Sequence, residues 1–393
     1  MTEWVGRPSR FEKDRFLQPA PTMTVPDVLP RKGTARIALA GVADDRELLR
    51  TAAELTRDLQ KPDPKIYWPD FLGSSAVGYG ALAGAIAAHS PWAALACGVL
   101  AVLALYRATL FIHEITHLNH ANLPGFRLMW NVVIGVPTML PSFMYEGIHM
   151  QHHTRTKYGT AEDPEYLPLA LMKPWSLPLF FVVSVFMPIG LIVRFGVLGP
   201  VSMVIPPLRR VVIERLSGLQ MNPLYRRRRP EGEFARQWFW EELGASIVAV
   251  SILATALTGV LPLHMLAVYI AIIAGVALLN QARTLVAHRW ENQGEPLTVT
   301  AQFLDSTNVP NGMLPLLWAP VGLRYHALHH LLPSLPYHAL TEAHARISGA
   351  LGTDSTYAQA NHPTLRGLLG RLIASTMTRD RLNPERLNPN RAD

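Results

Sequence analysis

The sequence predicts an all-α, multi-pass membrane protein with about four transmembrane helices in two hairpins, interfacial helices and a histidine-rich cap. Three observations support this fold class. Of the 393 residues, 49% are hydrophobic and only 17% are charged, as expected for a chain that lies partly in a bilayer. The apolar residues are concentrated in long stretches that occur in pairs. Eight of the fifteen histidines lie in three short clusters next to those stretches.

The paired apolar stretches predict the two hairpins. Each stretch is about long enough to cross roughly 30 Å of hydrocarbon as a helix. Their central portions contain no Asp, Glu or Lys, so membrane spans are favoured over the core of a soluble protein. Short uncharged turns, at Ser90 and Pro91 and at Pro262, join the members of each pair. The predicted spans are residues 71–89, 91–112, 243–261 and 263–285.

Two further apolar segments have less certain paths. Residues 175–208 are interrupted by Arg194 and five prolines, and both ends lie beside basic residues. This segment is either a helical hairpin or an interfacial, re-entrant piece, and the sequence leaves both alternatives open. Residues 128–144 are shorter and contain prolines, which predicts an interfacial helix between the first and second histidine clusters.

The basic residues predict the orientation of the chain. The two outer turns contain no Lys or Arg, whereas the opposite ends are basic. By the positive-inside rule, the basic ends and both termini are cytoplasmic, and all three histidine clusters then lie on that side. No apolar run typical of a signal peptide occurs in residues 1–42, which suits a bacterial inner membrane. The basic positions are Lys61, Lys65, Arg127, Arg155, Lys157, Arg209, Arg210, Arg289 and the arginines at 226–229.

The composition also divides the chain into three parts. We expect a cytoplasmic N-terminal segment, 1–65, with a short helix in 43–60, where leucines recur at helical spacing. A membrane domain would occupy 66–345, and a polar, basic C-terminal tail would occupy 346–393. The single cysteine, Cys97, lies in a predicted span, so the sequence offers neither a disulfide framework nor a cysteine-ligated cluster.

The net charge of +7 fits a basic cytoplasmic face in contact with anionic lipid headgroups. The arginines at 226–229 could in addition dock an acidic electron-donor protein. Nucleic-acid binding is not expected, because this run lies beside the membrane and no nucleic-acid-binding module accompanies it.

The three histidine clusters predict metal binding. They are HEITH, HMQHH and HALHH, and residues three or four apart on a helix share one face. Imidazole is a common ligand for zinc, copper, iron and nickel. Eight imidazoles exceed the four ligands of one tetrahedral zinc, so two metal ions sharing the set is the simplest interpretation. The histidines are His113 and His117, then His149, His152 and His153, and finally His326, His329 and His330.

The order HxxxH, HxxHH, HxxHH, alternating with two predicted hairpins, resembles the integral-membrane fatty acid desaturase and hydroxylase superfamily over roughly residues 70–345. The segment GTAEDPEY resembles the Asp-Pro stretch that follows the second box in many members. The resemblance implies a cytoplasmic, non-haem centre with two iron ions and O2 as co-substrate. It adds His288, in LVAHRWEN, to the eight box histidines as a ligand. It implies no catalytic residue beyond the metal centre.

Three polar residues near the boxes are candidates for supporting the metal ligands. Glu114, within the first box, could orient a ligand imidazole through its other ring nitrogen. Asp305 and Asn308, in FLDSTNVPN, could form hydrogen bonds to a ligand or to a metal-bound water.

The resemblance implies an O2-dependent oxidoreductase and favours a desaturase that introduces a double bond into a fatty acyl chain of a lipid. The three residues between the histidines of the first box are typical of acyl-lipid desaturases. The alternative is a hydroxylase or ketolase of alkyl chains or carotenoids, although the alkane-hydroxylase signature NYxEHYG is absent. Electrons would come from an external ferredoxin, rubredoxin or cytochrome b5-type donor, because the sequence contains no flavin fingerprint or cysteine cluster.

HEITH also matches the HExxH motif of zinc metalloproteases, in which two histidines bind zinc and the glutamate is the general base. An intramembrane zinc metalloprotease with Glu114 as base is therefore a remote alternative. It leaves both HxxHH triples and His288 without a role.

Overall fold

The computed structural model describes residues 39–377. The expectations for most of the N-terminal segment and for the end of the C-terminal tail lie outside these residues. Every named element of the described part is an α-, 3₁₀- or π-helix, and this confirms the all-α prediction. The α-helices are α1 (Arg46–Leu55), α2 (Pro64–Ala87), α3 (Pro91–Thr109), α4 (Phe111–His117), α5 (Phe126–Trp130), α6 (His149–His152), α7 (Ser176–Val193), α8 (Gly199–Val204), α9 (Pro206–Leu216), α10 (Gly232–Leu257), α11 (Leu263–Leu285), α12 (Val299–Asp305), α13 (Pro315–Trp318), α14 (His326–Leu331), α15 (Leu340–Leu351), α16 (Thr356–Gln359) and α17 (Leu365–Thr376).

The first hairpin consists of α2 and α3. Helix α2 begins where the Asp63 carboxylate accepts a hydrogen bond from the Lys65 backbone N–H at 2.8 Å. Proline occupies the first position of both helices, where a missing N–H costs nothing. The two helices approach closely at Gly78, because a Cβ there would lie 2.7 Å from the Leu105 side chain. Alanine at position 78 would therefore require the Leu105 side chain or the two helices to shift.

Four helical segments are long and apolar enough to cross a membrane: Pro91–His117, Ser176–Val204, Gly232–Leu257 and Leu263–Leu285. The number agrees with the prediction, and three segments overlap predicted spans. The predicted span 71–89 is not among them. Most of it belongs to α2, which contains Asp70 and repeated glycine and serine residues that reduce its apolar character, and which packs along α3 as the predicted hairpin does. The fourth segment is Ser176–Val204, within the stretch whose path the sequence left open.

A buried ion-pair cluster compensates the charge of Arg194, which lies within the otherwise apolar Ser176–Val204 segment. Arg194 begins a π-helical turn, Arg194–Leu198, and its guanidinium donates to Glu242 of α10 at 2.7 Å. Arg209 of α9 donates to the other oxygen of Glu242, also at 2.7 Å. A charged side chain within an apolar segment is tolerated when it is paired in this way. The cluster connects α7, α9 and α10.

Short helices and loops form a cap at one end of the long helices. Helices α4, α6 and α14 carry the three histidine boxes. Helix α1 lies in the segment where leucine spacing predicts a helix, and it packs against α15. The C-terminal residues contribute as well, because Leu368 of α17 packs with Val286 and Val309 next to the site. Residues 365–376 of the predicted polar tail therefore form an ordered, amphipathic helix.

Candidate metal centre

The cap brings all nine predicted histidines together. Helix α4 supplies two, α6 and the residue after it supply three, α14 supplies three, and His288 follows α11. Rings from different boxes are in contact. The ring centroids of His113 and His329 are 4.3 Å apart, and those of His288 and His326 are 4.6 Å apart. Residues separated by more than 200 positions in the sequence thus form one cluster.

Eight of the nine histidines form two groups of four, and within each group one ligand atom per residue lies within 4.8 Å of the others. Each HxxHH box contributes to both groups. His153 lies between the groups. Its Nε2 atom is 3.1 Å from Nε2 of His149 and 3.1 Å from Nε2 of His329, while its ring stacks on His330. The first group is His113, His117, His149 and His329, and the second is His152, His288, His326 and His330.

Polar partners hold the outer nitrogens of two second-box rings. Nδ1 of His149 lies 3.0 Å from the Glu165 carboxylate and 2.9 Å from the Tyr145 hydroxyl. Nδ1 of His152 lies 2.9 Å from the Asp163 carboxylate. These contacts fix both ring planes and direct the Nε2 atoms toward the other histidines. Carboxylate–imidazole contacts of this kind are usual behind metal ligands.

His288 is held by two hydroxyl groups. Its Nδ1 atom lies 2.9 Å from the Tyr158 oxygen and 3.1 Å from the Ser306 oxygen. Tyr158 donates its own proton to Asp305 at 2.9 Å, and Ser306 donates to the Gln302 carbonyl at 2.8 Å. Both oxygens must therefore accept from His288, which places the ring proton on Nδ1. The Nε2 atom of His288 is left with a lone pair that faces the cluster.

The donor atoms fit bound metal ions. The Nε2 lone pair of His288 lies 2.9 Å from Nε2 of His326 and 3.3 Å from Nε2 of His152. The Nε2 atoms of His113 and His117 are buried and have no hydrogen-bond partner among residues 39–377. A buried polar atom without a partner costs about 1–3 kcal/mol. Cations within the cluster would satisfy all of these atoms together.

Burial keeps most of the cap histidines neutral. It lowers the pKa of His149, His288 and His329 well below the ordinary value, and neighbouring charges add to the effect. His153, His326 and His330 behave in the same way. A neutral imidazole is the form that binds a metal ion. Burial also acts against protonation of His152, but the carboxylates of Asp163, Glu165 and Asp305 together outweigh it and raise the pKa of that imidazole.

The three expected supporting residues lie close to the histidines, and the structure gives the partners of each. Glu114 does not form a hydrogen bond with an imidazole, because its Oε1 atom is 3.7 Å from Nδ1 of His113. Its Oε2 atom accepts from the Tyr67 hydroxyl and, at 3.0 Å, from the Tyr337 N–H. Glu114 therefore joins α2, α4 and the segment after the third box.

Asp305 and Asn308 do not contact the imidazole rings directly but contact groups that do, or the backbone that carries them. Asp305 is fully buried and accepts from Tyr158 at 2.9 Å and from Tyr166 at 2.8 Å, so it reaches His288 through a tyrosine. Burial raises the pKa of Asp305 to about 6. Asn308 accepts from the Leu328 N–H at 3.0 Å and so positions the backbone of α14.

Sequence reasoning missed the residues that contact the imidazoles directly. Asp163 and Glu165 lie in GTAEDPEY, which was noted only for its resemblance, and they follow their histidine partners by 11 and 16 positions. Acidic residues shortly after a histidine box were an available signal. Tyr158 and Ser306 gave none, because Tyr158 is 130 positions from His288 and neither residue belongs to a repeating pattern.

A cavity adjoins both histidine groups. Rings from the first group and from the second line the same space, so a molecule in this cavity meets both. Its other walls come from the end of α11 and the residues after it, from the segments on either side of the second box, and from the loop after α9. The lining residues are His113, His149, His152, His288, His326, Tyr145, Glu165, Met221, Arg283, Thr284, Ala287 and Trp290.

Comparisons with known proteins agree with this geometry. A profile of the family described as fatty acid desaturase matches residues 90–360, which include all nine histidines. A curated ceramide hydroxylase from Caulobacter vibrioides (strain NA1000 / CB15N) is 45% identical over 336 residues, or 85% of this chain and 95% of the relative. No solved structure matches the chain.

Proposed function

Because this chain belongs to the fatty acid desaturase family of membrane di-iron oxidoreductases, we propose that it is an O2-dependent lipid hydroxylase. The observation that carries the proposal is the 45% identity to a ceramide hydroxylase across 95% of that protein. The sequence alone favoured a desaturase, with hydroxylation as the alternative. Because of the similarity to a hydroxylase, we now favour hydroxylation and keep desaturation as the alternative. Family membership also argues against the metalloprotease hypothesis, because the family match includes all three histidine boxes and that hypothesis gave a role only to the first.

Hydroxylation consumes a C–H bond, one O2, two electrons and two protons, and gives an alcohol and water. Desaturation of adjacent carbons breaks two C–H bonds, consumes the same O2, electrons and protons, and gives a double bond and two waters. Unactivated C–H bonds resist acid–base attack, because no side chain has the required basicity. In this family, a bound pair of iron ions together with O2 supplies the oxidising power. The protein's own residues must therefore bind and orient the substrate and keep water away from it.

We assign one iron to each histidine group. His113, His117, His149 and His329 would hold the first ion, and His152, His288, His326 and His330 would hold the second. His153 lies within reach of both groups. Asp163, Glu165 and Tyr158 would keep the rings oriented through their Nδ1 atoms. Burial of almost all ligands keeps bulk water from the reacting carbon.

The proposed partners are a lipid substrate that enters from the bilayer and an external electron donor of the ferredoxin, rubredoxin or cytochrome b5 type. We place the metal site and both termini on the cytoplasmic side of a bacterial inner membrane, as the basic residues predict. Arg226, Arg228 and Arg229 are exposed and available to an acidic donor. Arg227 is buried, because its guanidinium lies 4.3 Å from the Trp238 ring and donates to the Glu146 carbonyl.

The proposal is tested by lipid mass spectrometry of a bacterial host that expresses the wild type or the His330→Ala variant and is supplied with dihydroceramide. Gain of one oxygen atom with the wild type alone is the expected result. Loss of two hydrogens instead would identify a desaturase and return the assignment to the alternative. Purified wild type should contain about two irons per chain; one zinc per chain would overturn the family chemistry itself.

A further inference from the structure

Arg283 introduces a positive charge into the wall of the candidate metal centre. It lies in the last turn of α11, a segment apolar enough to span a membrane. Its side chain lines the same cavity as five of the nine histidines. It also lines a second, smaller cavity, together with His326 and Arg324. Arg283 therefore borders the space where a substrate would meet both metal groups.

The protein compensates the charge of Arg283 only in part. The guanidinium forms a hydrogen bond with the Tyr106 hydroxyl, and it lies close enough to the Glu165 carboxylate to act on its pKa. The Nη2 atom of Arg283 lies 3.3 Å from the amide oxygen of Asn280, and its Nε atom is buried without a hydrogen-bond partner. Among residues 39–377, no carboxylate forms an ion pair with it. Arginine stays charged at physiological pH, and an unpaired cation near the hydrocarbon is costly. It is more costly still beside histidines that would hold metal cations.

The other polar groups around the cavity already have partners. Tyr145 donates to Glu165, and Glu165 contacts His149. Glu165 also interacts electrostatically with Arg283, but neither group satisfies the buried Nε atom. A substrate that places only methylene groups in this cavity would leave that N–H donor without an acceptor. A substrate that places an oxygen there would satisfy it, and a hydrogen bond from a charged donor is among the stronger ones.

We propose that Arg283 is a specificity-determining residue that binds an oxygen atom of the substrate's polar head: a hydroxyl, an amide carbonyl or a carboxylate. Because the guanidinium and the histidines share one cavity, the carbon that is oxidised lies within a few bonds of that oxygen. The substrate is then an amphiphilic lipid that reacts near its head and not in the middle of its chain. This inference rests on the proposed function and specifies the substrate class.

The experiment measures binding to the iron-loaded, full-length protein in nanodiscs without reductant, so that no turnover occurs. The radiolabelled probes are N-palmitoyl dihydrosphingosine, palmitic acid and hexadecane. They carry an amide and hydroxyls, a carboxylate, and no oxygen, respectively. The variants are Arg283→Leu, which removes all donors, and Arg283→Lys, which keeps the charge but not the planar fork. Arg210→Leu is the control, because it removes an exposed arginine elsewhere in the chain.

We expect Arg283→Leu to weaken binding of at least one oxygen-bearing probe roughly 10- to 100-fold and to leave hexadecane binding unchanged. Arg283→Lys should fall between Arg283→Leu and the wild type. The probe that responds distinguishes the neutral amide or hydroxyl head from the carboxylate. During turnover, Arg283→Leu should also give a mixture of oxidised positions where the wild type gives one.

Three outcomes would overturn the proposal. The first is that the variants bind every probe as the wild type does, and the second is that they lose binding of hexadecane and of head-bearing lipids equally. Unchanged binding with slower turnover of all substrates would mean that Arg283 acts on the metal centre instead. Should Arg283→Leu fail to retain iron, Arg283→Lys alone decides the question. These outcomes are separate from the hydroxylase assignment, because a desaturase could show the same dependence on Arg283, and a hydroxylase could lack it.

Discussion

The Nδ1 atom of His152 lies 2.9 Å from the carboxylate of Asp163, a fully buried residue eleven positions further along the chain. The same carboxylate accepts from the Gly159 N–H at 2.8 Å and from the Glu165 N–H at 2.9 Å. Two backbone N–H groups therefore hold the acid in place, and the acid in turn fixes the imidazole. The loop after the second box is thus part of the candidate metal centre.

Replacing Asp163 with Asn should weaken metal binding without unfolding the cap. Asparagine keeps the shape and an acceptor oxygen. It removes the negative charge that makes the Nε2 atom of His152 a stronger electron-pair donor to a metal ion. Loss of such a partner typically lowers metal affinity or activity 10- to 100-fold. Iron per chain after dialysis against a chelator measures the effect. Glu162→Gln is the matched control, since that side chain is exposed one residue earlier, and an equal iron loss in both variants would contradict the role of Asp163.

His288→Ala should remove about one iron per chain, because His288 belongs to only one of the two groups. Hydroxylation should fall below detection, since both ions are expected to be needed. Metal analysis of the purified variant gives the stoichiometry. His120→Ala provides the comparison, because His120 lies three residues after His117 but is exposed. Two irons per chain in His288→Ala would exclude His288 from the ligand set.

The two tyrosines that share Asp305 should differ in importance. Tyr158 touches His288 directly, whereas Tyr166 contacts the Asp305 carboxylate and the Asn292 N–H. Tyr158→Phe should therefore reduce activity several-fold more than Tyr166→Phe, although each lost hydrogen bond costs about 1 kcal/mol of stability. Turnover rates and thermal unfolding of the two variants separate these effects. Equal loss of activity would mean that Asp305, and not the contact with His288, controls the site.

Glu114→Gln should retain iron and much of its activity. The glutamate joins Tyr67 to the Tyr337 backbone and does not bind an imidazole. The amide keeps one acceptor oxygen, so we expect a loss of about 1–3 kcal/mol in stability, with a modest decrease in turnover. Thermal unfolding and product formation are measured side by side. Complete loss of activity in a folded, iron-loaded variant would indicate a direct chemical role, as the metalloprotease hypothesis required.

Arg194→Leu should destabilise the helical core more than it affects the metal centre. The change leaves Glu242 buried with only Arg209 as its ionic partner. Removing one member of a buried ion pair costs about 3–5 kcal/mol. The midpoint of thermal unfolding in detergent reports the loss, and Arg210→Leu, an exposed arginine on α9, should leave it nearly unchanged. A normal midpoint for Arg194→Leu would show that Glu242 is adequately compensated by Arg209.

Local sequence patterns predicted the parts of this protein that depend on neighbours in the chain. The helical class, the number of long apolar helices and the three histidine boxes all follow from hydropathy and from helical spacing. The sequence left the path of residues 175–208 open, and the structure places one apolar helical segment, Ser176–Val204, there despite its prolines.

The sequence by itself thus determined that histidines from three boxes would lie at one end of a helical bundle. Only the tertiary structure decided how they divide into two groups and which residues hold them. The contact of Tyr158 with His288 and the placement of Arg283 beside His113 depend on segments more than 100 positions apart. No periodic pattern encodes such contacts, because they arise when packed helices and loops meet. The chemistry of the ligands is therefore local, and their orientation and their access to substrate are properties of the whole fold.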